Sequence, residues 1–209
     1  MNFGNAFSFI FDDANWFKKI IIPTLVGLIP VIGQMVIGGY IIRTIRNVAN
    51  KDPYPLPEMD FGEDLRLGFG WVVVGLVYSI PMAIVGAIMS LVTQSLEQNA
   101  ENPILIIASI GLGLMMGVWG LIMAFFLPAA QANYAVKDKI GAAFNLKEVF
   151  GMIFRNPVAW LLVLVGTFLS GLIAPLGIIA CGVGVLLTTM YASLVNAHLS
   201  GQAYSDSQR

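Results

Sequence analysis

Three uncharged apolar runs dominate the chain: residues 69–96, 103–136 and 157–197. Each exceeds the roughly 18 residues that mark a membrane-crossing helix, and none alternates with the period of a strand. A fourth run, 20–42, is interrupted by Pro30-Val-Ile-Gly33. The polar positions fall between the runs. This pattern predicts an all-α, polytopic integral membrane protein with about six membrane helices, arranged as three hairpins in a single membrane domain over residues 1–209.

Local signals set the expected boundaries. Asp60-Phe-Gly-Glu63 has capping-box spacing and starts a span over 67–96. Asn102-Pro103 and Asn156-Pro157 each join an N-cap residue to a proline at the first helical position. The fourth span is expected to end near residue 133. Pro175-Leu-Gly177 divides the last apolar run, and 200–209 reads as a polar tail. Residues 142–154 read as an amphipathic piece, and 1–16, with Phe3, Phe7 and Phe11 and also Phe9 and Ile10 available to rest on the bilayer, as an interfacial amphipathic segment. Asp12 and Asp13 stand where the apolar core of a cleavable signal would be, so none is expected.

Charge decides between one helix and two over the interrupted run. Lys18 and Lys19 lie at one end, and Arg43, Arg46 and Lys51 at the other. A single span would place basic clusters on both sides, against the positive-inside bias. A hairpin over about 13–29 and 34–50 places them on one side. Each arm of ~17 residues would reach ~25 Å, short of a ~30 Å hydrocarbon core, so this first hairpin is short or re-entrant. With three hairpins, all 11 basic residues face one side. The rule then puts both termini and the loops 47–68 and 134–156 in the cytoplasm, with the protein in the cell membrane.

Composition agrees with this class and narrows it. The chain of 209 residues is 57% hydrophobic and 11% charged, with a mean hydropathy of +0.81. A net charge of −1 argues against a nucleic-acid partner. The single cysteine, Cys181, excludes an internal disulfide. No ionisable residue lies mid-span, which lowers proton-coupled pumps and intramembrane proteases that use acids or histidine. His198, the only histidine, belongs to no recognisable catalytic motif and reads as a polar residue at a helix end. No catalytic residue, cofactor or metal site is expected, and the chain reads as a non-enzyme. Glu58, Asp60, Glu63 and Asp64 suit helix capping and solvation better than cation binding.

Two groups remain as candidate sites. Pro53, Pro55 and Pro57, spaced by two and followed by Glu58 and Asp60, form a stiff cytoplasmic ladder suited to a protein partner. Gln131 and Asn133, preceded by Pro128, are the most pore-like of the uncharged polar residues. Gly111, Gly113, Gly117 and Gly120 form a small-residue face suited to close helix contact, more within the protomer than between copies. The three hairpins also read as related units. Their entries are Phe3-Gly-Asn-Ala-Phe7, Phe61-Gly-Glu-Asp-Leu65 and Ile140-Gly-Ala-Ala-Phe144. Two exits are Asn47-Val-Ala-Asn-Lys-Asp52 and Asn133-Tyr-Ala-Val-Lys-Asp138, with Asn196-Ala-His198 a faint third.

Asp13-Ala-Asn-Trp-Phe-Lys-Lys19, Leu28-Ile-Pro-Val-Ile-Gly33, Gly39-Tyr40, Arg46-Asn47, Pro55-Leu-Pro-Glu58 and Asp60-Phe-Gly62 carry a family resemblance. The chain resembles a prokaryotic membrane-protein family catalogued as domain-of-unknown-function family 4013. The resemblance implies a multi-spanning prokaryotic membrane protein and supplies no catalytic residues. The expected function is that of a partner-binding or assembly component in the lipid bilayer. The alternative is a transporter or channel for a small or amphipathic solute.

Overall fold

The structure is a computed structural model that describes residues 1–180 and 183–208. Cys181 lies outside the described residues, as does Arg209. The described residues form helices joined by turns and irregular loops, with no strand among them: α1 (Asn5–Ser8), a 3₁₀ turn (Phe9–Asp12), α2 (Trp16–Val26), α3 (Ile32–Ala49), α4 (Phe61–Gln98), α5 (Pro103–Lys137), α6 (Ile140–Ala143), α7 (Leu146–Arg155), α8 (Pro157–Ile173), a 3₁₀ stretch (Ala174–Ala180) and α9 (Val183–Ser207). Among the described residues, three helices are long and apolar enough to cross a membrane: α4, α5, and α8 with its continuation to Ile178. The chain divides into two compact units, one of Met1–Val72 with Phe125–Arg209, the other of Val73–Ala124.

In the first unit, Phe9, Ile10, Ile20, Tyr40, Leu56, Met190 and Leu194 form a buried cluster. Two apolar residues of the N-terminal segment thus pack inward. Phe9 and Ile10 are buried, while Phe11 is exposed. Tyr191 donates its hydroxyl to Phe7 O at 2.7 Å, fixing this segment on α9.

The hairpin at Pro30–Gly33 is present, but its first arm is shorter than expected. An Asx bond from Asn15 N to Asp13 Oδ1 (2.8 Å) delays the helix start, so α2 spans 11 residues, about 16 Å. Between the arms, Val31 has φ 64° and ψ −64°, with Ile32 N donating to Pro30 O at 2.7 Å. This is the classic γ-turn, a strained conformation for a β-branched residue. Val31→Gly should raise stability by about 1 kcal/mol, relief of strain outweighing the unfolded-state entropy of glycine. A higher melting temperature in detergent is the readout.

α3 meets the start of α4 at backbone distance. A Cβ added at Gly39 would lie 1.8 Å from Asp64 O, and one at Gly68 would lie 1.7 Å from Met35 O. At the other end of the chain, α9 continues to Ser207 where a polar tail was expected. Trp160 Nε1 donates to Ser207 Oγ at 3.1 Å, and Leu199, Ala203 and Tyr204 are buried. Polar composition does not keep residues 200–207 out of a helix when one face docks.

The predicted caps form. Asn102 Oδ1 accepts from Ile104 N at 3.0 Å, and Asn156 Oδ1 from Ala159 N at 3.2 Å. The two matched exits also act alike. Asn47 Nδ2 donates to Pro55 O and Asn133 Nδ2 to Ala142 O, each tying a helix end to the segment that follows. Asn196 instead accepts from Ser170 Oγ.

In the second unit, Pro81, Met82 and Val85 of α4 and Met115, Met116 and Trp119 of α5 line a wholly apolar hollow of about 210 Å³. The expected glycine packing face is not used there. A Cβ added at Gly111, Gly113, Gly117 or Gly120 meets nothing within 4 Å.

Candidate functional site at the proline ladder

Proline has no amide hydrogen, so the ladder brings no backbone donors at its prolines into the fold. It still brings carbonyls, and three helix side chains take them. Asn47 Nδ2 donates to Pro55 O at 3.0 Å, Lys19 Nζ to Leu56 O at 2.8 Å, and the Tyr40 hydroxyl to Pro57 O at 3.1 Å. Leu56 fills the core between these bonds. The predicted site residues therefore separate into two sets. Pro55 and Pro57 are buried; Pro53, Glu58 and Asp60 are exposed. Tyr54, which sequence reasoning passed over, is 62% exposed between two prolines.

Asp60 has a structural task as well, since its Oδ1 accepts from Glu63 N at 3.0 Å. The return bond of the capping box comes from a different residue than the spacing predicts. Asp64 Oδ2, not Glu63, accepts from Asp60 N at 3.0 Å. Asp64 is fully buried and pairs with Arg43 at 3.1 Å. Glu63 faces Arg46 (3.5 Å) and Arg66 (3.9 Å) instead.

Arg46 and Arg66 both reach Asp138, at 3.4 and 3.0 Å. The Arg66 hydrogen bonds outweigh burial and, with Arg46, hold the Asp138 carboxyl below the usual carboxylate range. Lys137 pairs with Glu148 and lowers its carboxyl in the same way. Asp13 is balanced differently. Burial would raise it, but the Lys19 ammonium at 2.7 Å and the Asn15 amide together bring it below its ordinary value.

The other candidate pair enters this framework. Asn133 is fully buried; its Nδ2 donates to Ala142 O (2.9 Å) and reaches Glu148 Oε2 at 3.3 Å. Gln131 is half-buried. Asn133 thus fastens the end of α5 to the α6–α7 segment.

Beside the ladder, Asn2, Asn5, Phe9, Asp12, Lys51, Asp52, Pro53, Pro55, His198 and Gln202 are among the residues lining a polar cleft of about 230 Å³. His198 forms part of its wall, although its sequence position suggested only a polar helix end. The ring stacks on Phe9 at 4.3 Å between centroids, and its Nδ1 meets Gln202 Nε2 at 2.8 Å. Gln202 donates there, which leaves the imidazole proton on Nε2. Only the i, i+4 spacing of His198 and Gln202 hinted at this pair. Among the described residues, no group of three or more His, Cys, Asp or Glu side chains could hold a metal ion.

Burial holds the His198 imidazole, which lies past the uncharged run, at about 4 against its ordinary 6.5. Between these values the unfolded chain binds a proton that the folded chain refuses. The contribution is therefore complete above about pH 6.5 and declines as pH falls toward 4, by up to about 3 kcal/mol. Melting temperatures between pH 7 and 4.5 should fall for the native chain and fall less for His198→Leu.

One family model, described as "Protein of unknown function (DUF4013)", matches residues 22–183. No curated protein matches the chain, and no solved structure does.

Proposed function

Because the chain belongs to this domain-of-unknown-function family, we propose its role from the ladder itself: a non-enzymatic membrane protein that docks a protein partner on the exposed side of 47–68. The observation carrying this reading is Tyr54, exposed beside Pro53 on a segment whose next three carbonyls are held by Asn47, Lys19 and Tyr40. An aromatic side chain on a pre-fixed backbone loses little conformational freedom on binding. Glu58, with its side chain 66% exposed, adds a charge at the rim. A photo-crosslinking residue at position 54 should capture one discrete protein in native membranes. Tyr54→Ala should remove that protein from purifications, with insertion unchanged; adducts spread over many proteins would count against docking. Deleting the whole ladder is a poor test, because it removes Leu56 from the core.

The topology we infer is three hairpins with both termini, 47–68 and 134–156 in the cytoplasm of a prokaryotic cell. Its support is the one-sided distribution of Lys and Arg. In a Cys181→Ser background, a cysteine at Asn99 should react with an external impermeant maleimide, and one at Tyr54 should be protected. The reverse pattern overturns the orientation.

A further inference from the structure

We propose that the groove between the α2–α3 hairpin and α9 is an intramembrane binding site for an uncharged amphiphile that donates a hydroxyl. It does not depend on docking at Tyr54. The groove has a volume of about 280 Å³; Thr24, Gln34, Ile37, Ile41, Thr189 and Ser193 are among its lining residues.

Its depth follows from the α2–α3 hairpin. The Tyr40 hydroxyl bonds both Lys19 O (2.9 Å) and Pro57 O (3.1 Å), and Lys19 Nζ lies 3.8 Å from the exposed Glu58 carboxylate. Water therefore reaches the level of Tyr40. From Tyr40 to the start of α3 at Ile32 is about 12 Å of helix, and from Lys19 to Val26 about 10 Å. The hairpin tip thus goes no further than about the middle of a ~30 Å hydrocarbon core. The hairpin is re-entrant, and the groove lies within one leaflet.

Its chemistry follows from which protons are already spent. Thr24 Oγ1 donates to Ile20 O (2.7 Å), Ser193 Oγ to Thr189 O (2.9 Å) and Gln34 Nε2 to Gly27 O (2.8 Å). Thr24 and Ser193 keep oxygen lone pairs to offer a guest, and Gln34 keeps its carbonyl oxygen and its second N–H, so a guest hydroxyl can donate to this wall and accept from it. Among the described residues, no Asp, Glu, Lys, Arg or His lines the groove. A charged headgroup would be desolvated there without a counter-charge, whereas a neutral hydroxyl would be satisfied. Ile37 and Ile41 supply the surface for a hydrocarbon chain.

The test uses the full chain in phosphatidylcholine nanodiscs with a monoacylglycerol carrying a diazirine in its acyl chain. Labelling should be saturable, map to 34–41 and 186–193, and fall at least fivefold with excess unlabelled monooleoylglycerol. The same excess of lysophosphatidylcholine should leave it unchanged. Gly38→Leu should block the groove, since an added Cβ there meets only Gly68 Cα, at 3.8 Å; labelling should drop fivefold with the melting temperature retained. If that variant does not fold, the competition on the native sequence decides. Non-saturable labelling, or equal displacement by lysophosphatidylcholine, overturns the site. For depth, Val31→Cys in a Cys181→Ser background should resist impermeant maleimide from both faces; reaction from the face opposite Tyr54 overturns re-entrance.

Discussion

Gly39→Ala and Gly68→Ala should each cost about 3 kcal/mol or more, at or beyond the upper end of overpacking effects. In both cases the new methyl group would meet main chain, Asp64 O at 1.8 Å and Met35 O at 1.7 Å. A side chain can change rotamer to make room, but these carbonyls sit in helices and cannot. Relief requires α3 and α4 to separate, and separation would stretch the Arg43–Asp64 pair one turn away. Gly38→Ala is the internal control, because the nearest atom to its Cβ is at 3.8 Å. Intrinsic tryptophan melting in detergent should show a large drop for positions 39 and 68 and little change at 38. Equal effects at all three would refute the close approach.

Asp64→Ala is expected to cost about 3–5 kcal/mol, the usual result of removing one partner of a buried ion pair. Asp64 is fully buried and serves two donors, Arg43 Nη1 at 3.1 Å and Asp60 N at 3.0 Å. Its loss strands the Arg43 guanidinium and leaves the entry of α4 without its return bond. The double replacement Arg43→Met with Asp64→Leu should be much milder than Asp64→Ala alone, because no charge is then left unpaired. A double-mutant cycle on melting free energies reads the coupling directly. Simple additivity would mean that the pair does not act as a unit.

Long apolar runs, cap residues and the Pro30–Gly33 break were legible in the sequence because each is a local signal. Asn102 and Asn156 could be read as caps from their neighbours alone. What could not be read was which polar groups the fold would enclose. The spacing of Asp60 and Glu63 is right for a capping box, yet Asp64 takes the second role because Arg43 and Arg46 draw the neighbouring acids apart. Pro55 and Pro57 look like exposed ladder positions until Leu56 is seen to anchor in the core. His198 gained its setting from Phe9, far away in the chain, a pairing that no periodicity encodes. The glycine face of α5 carried a recognisable packing pattern, but a pattern names a surface and not what covers it.

The reach of Arg46 has a consequence for biogenesis. Its Nε donates to Ala135 O at 2.6 Å, and its guanidinium faces Asp138. Those groups follow it in the chain by roughly 90 residues, which at about 5–20 residues per second takes some 5–18 s to synthesise. For that interval the newly made α2–α3 hairpin holds a guanidinium that has Glu63 within reach but not yet Ala135 O or Asp138. The ribosome's pace, and whatever shelters the nascent hairpin meanwhile, therefore becomes part of how this protein reaches its fold.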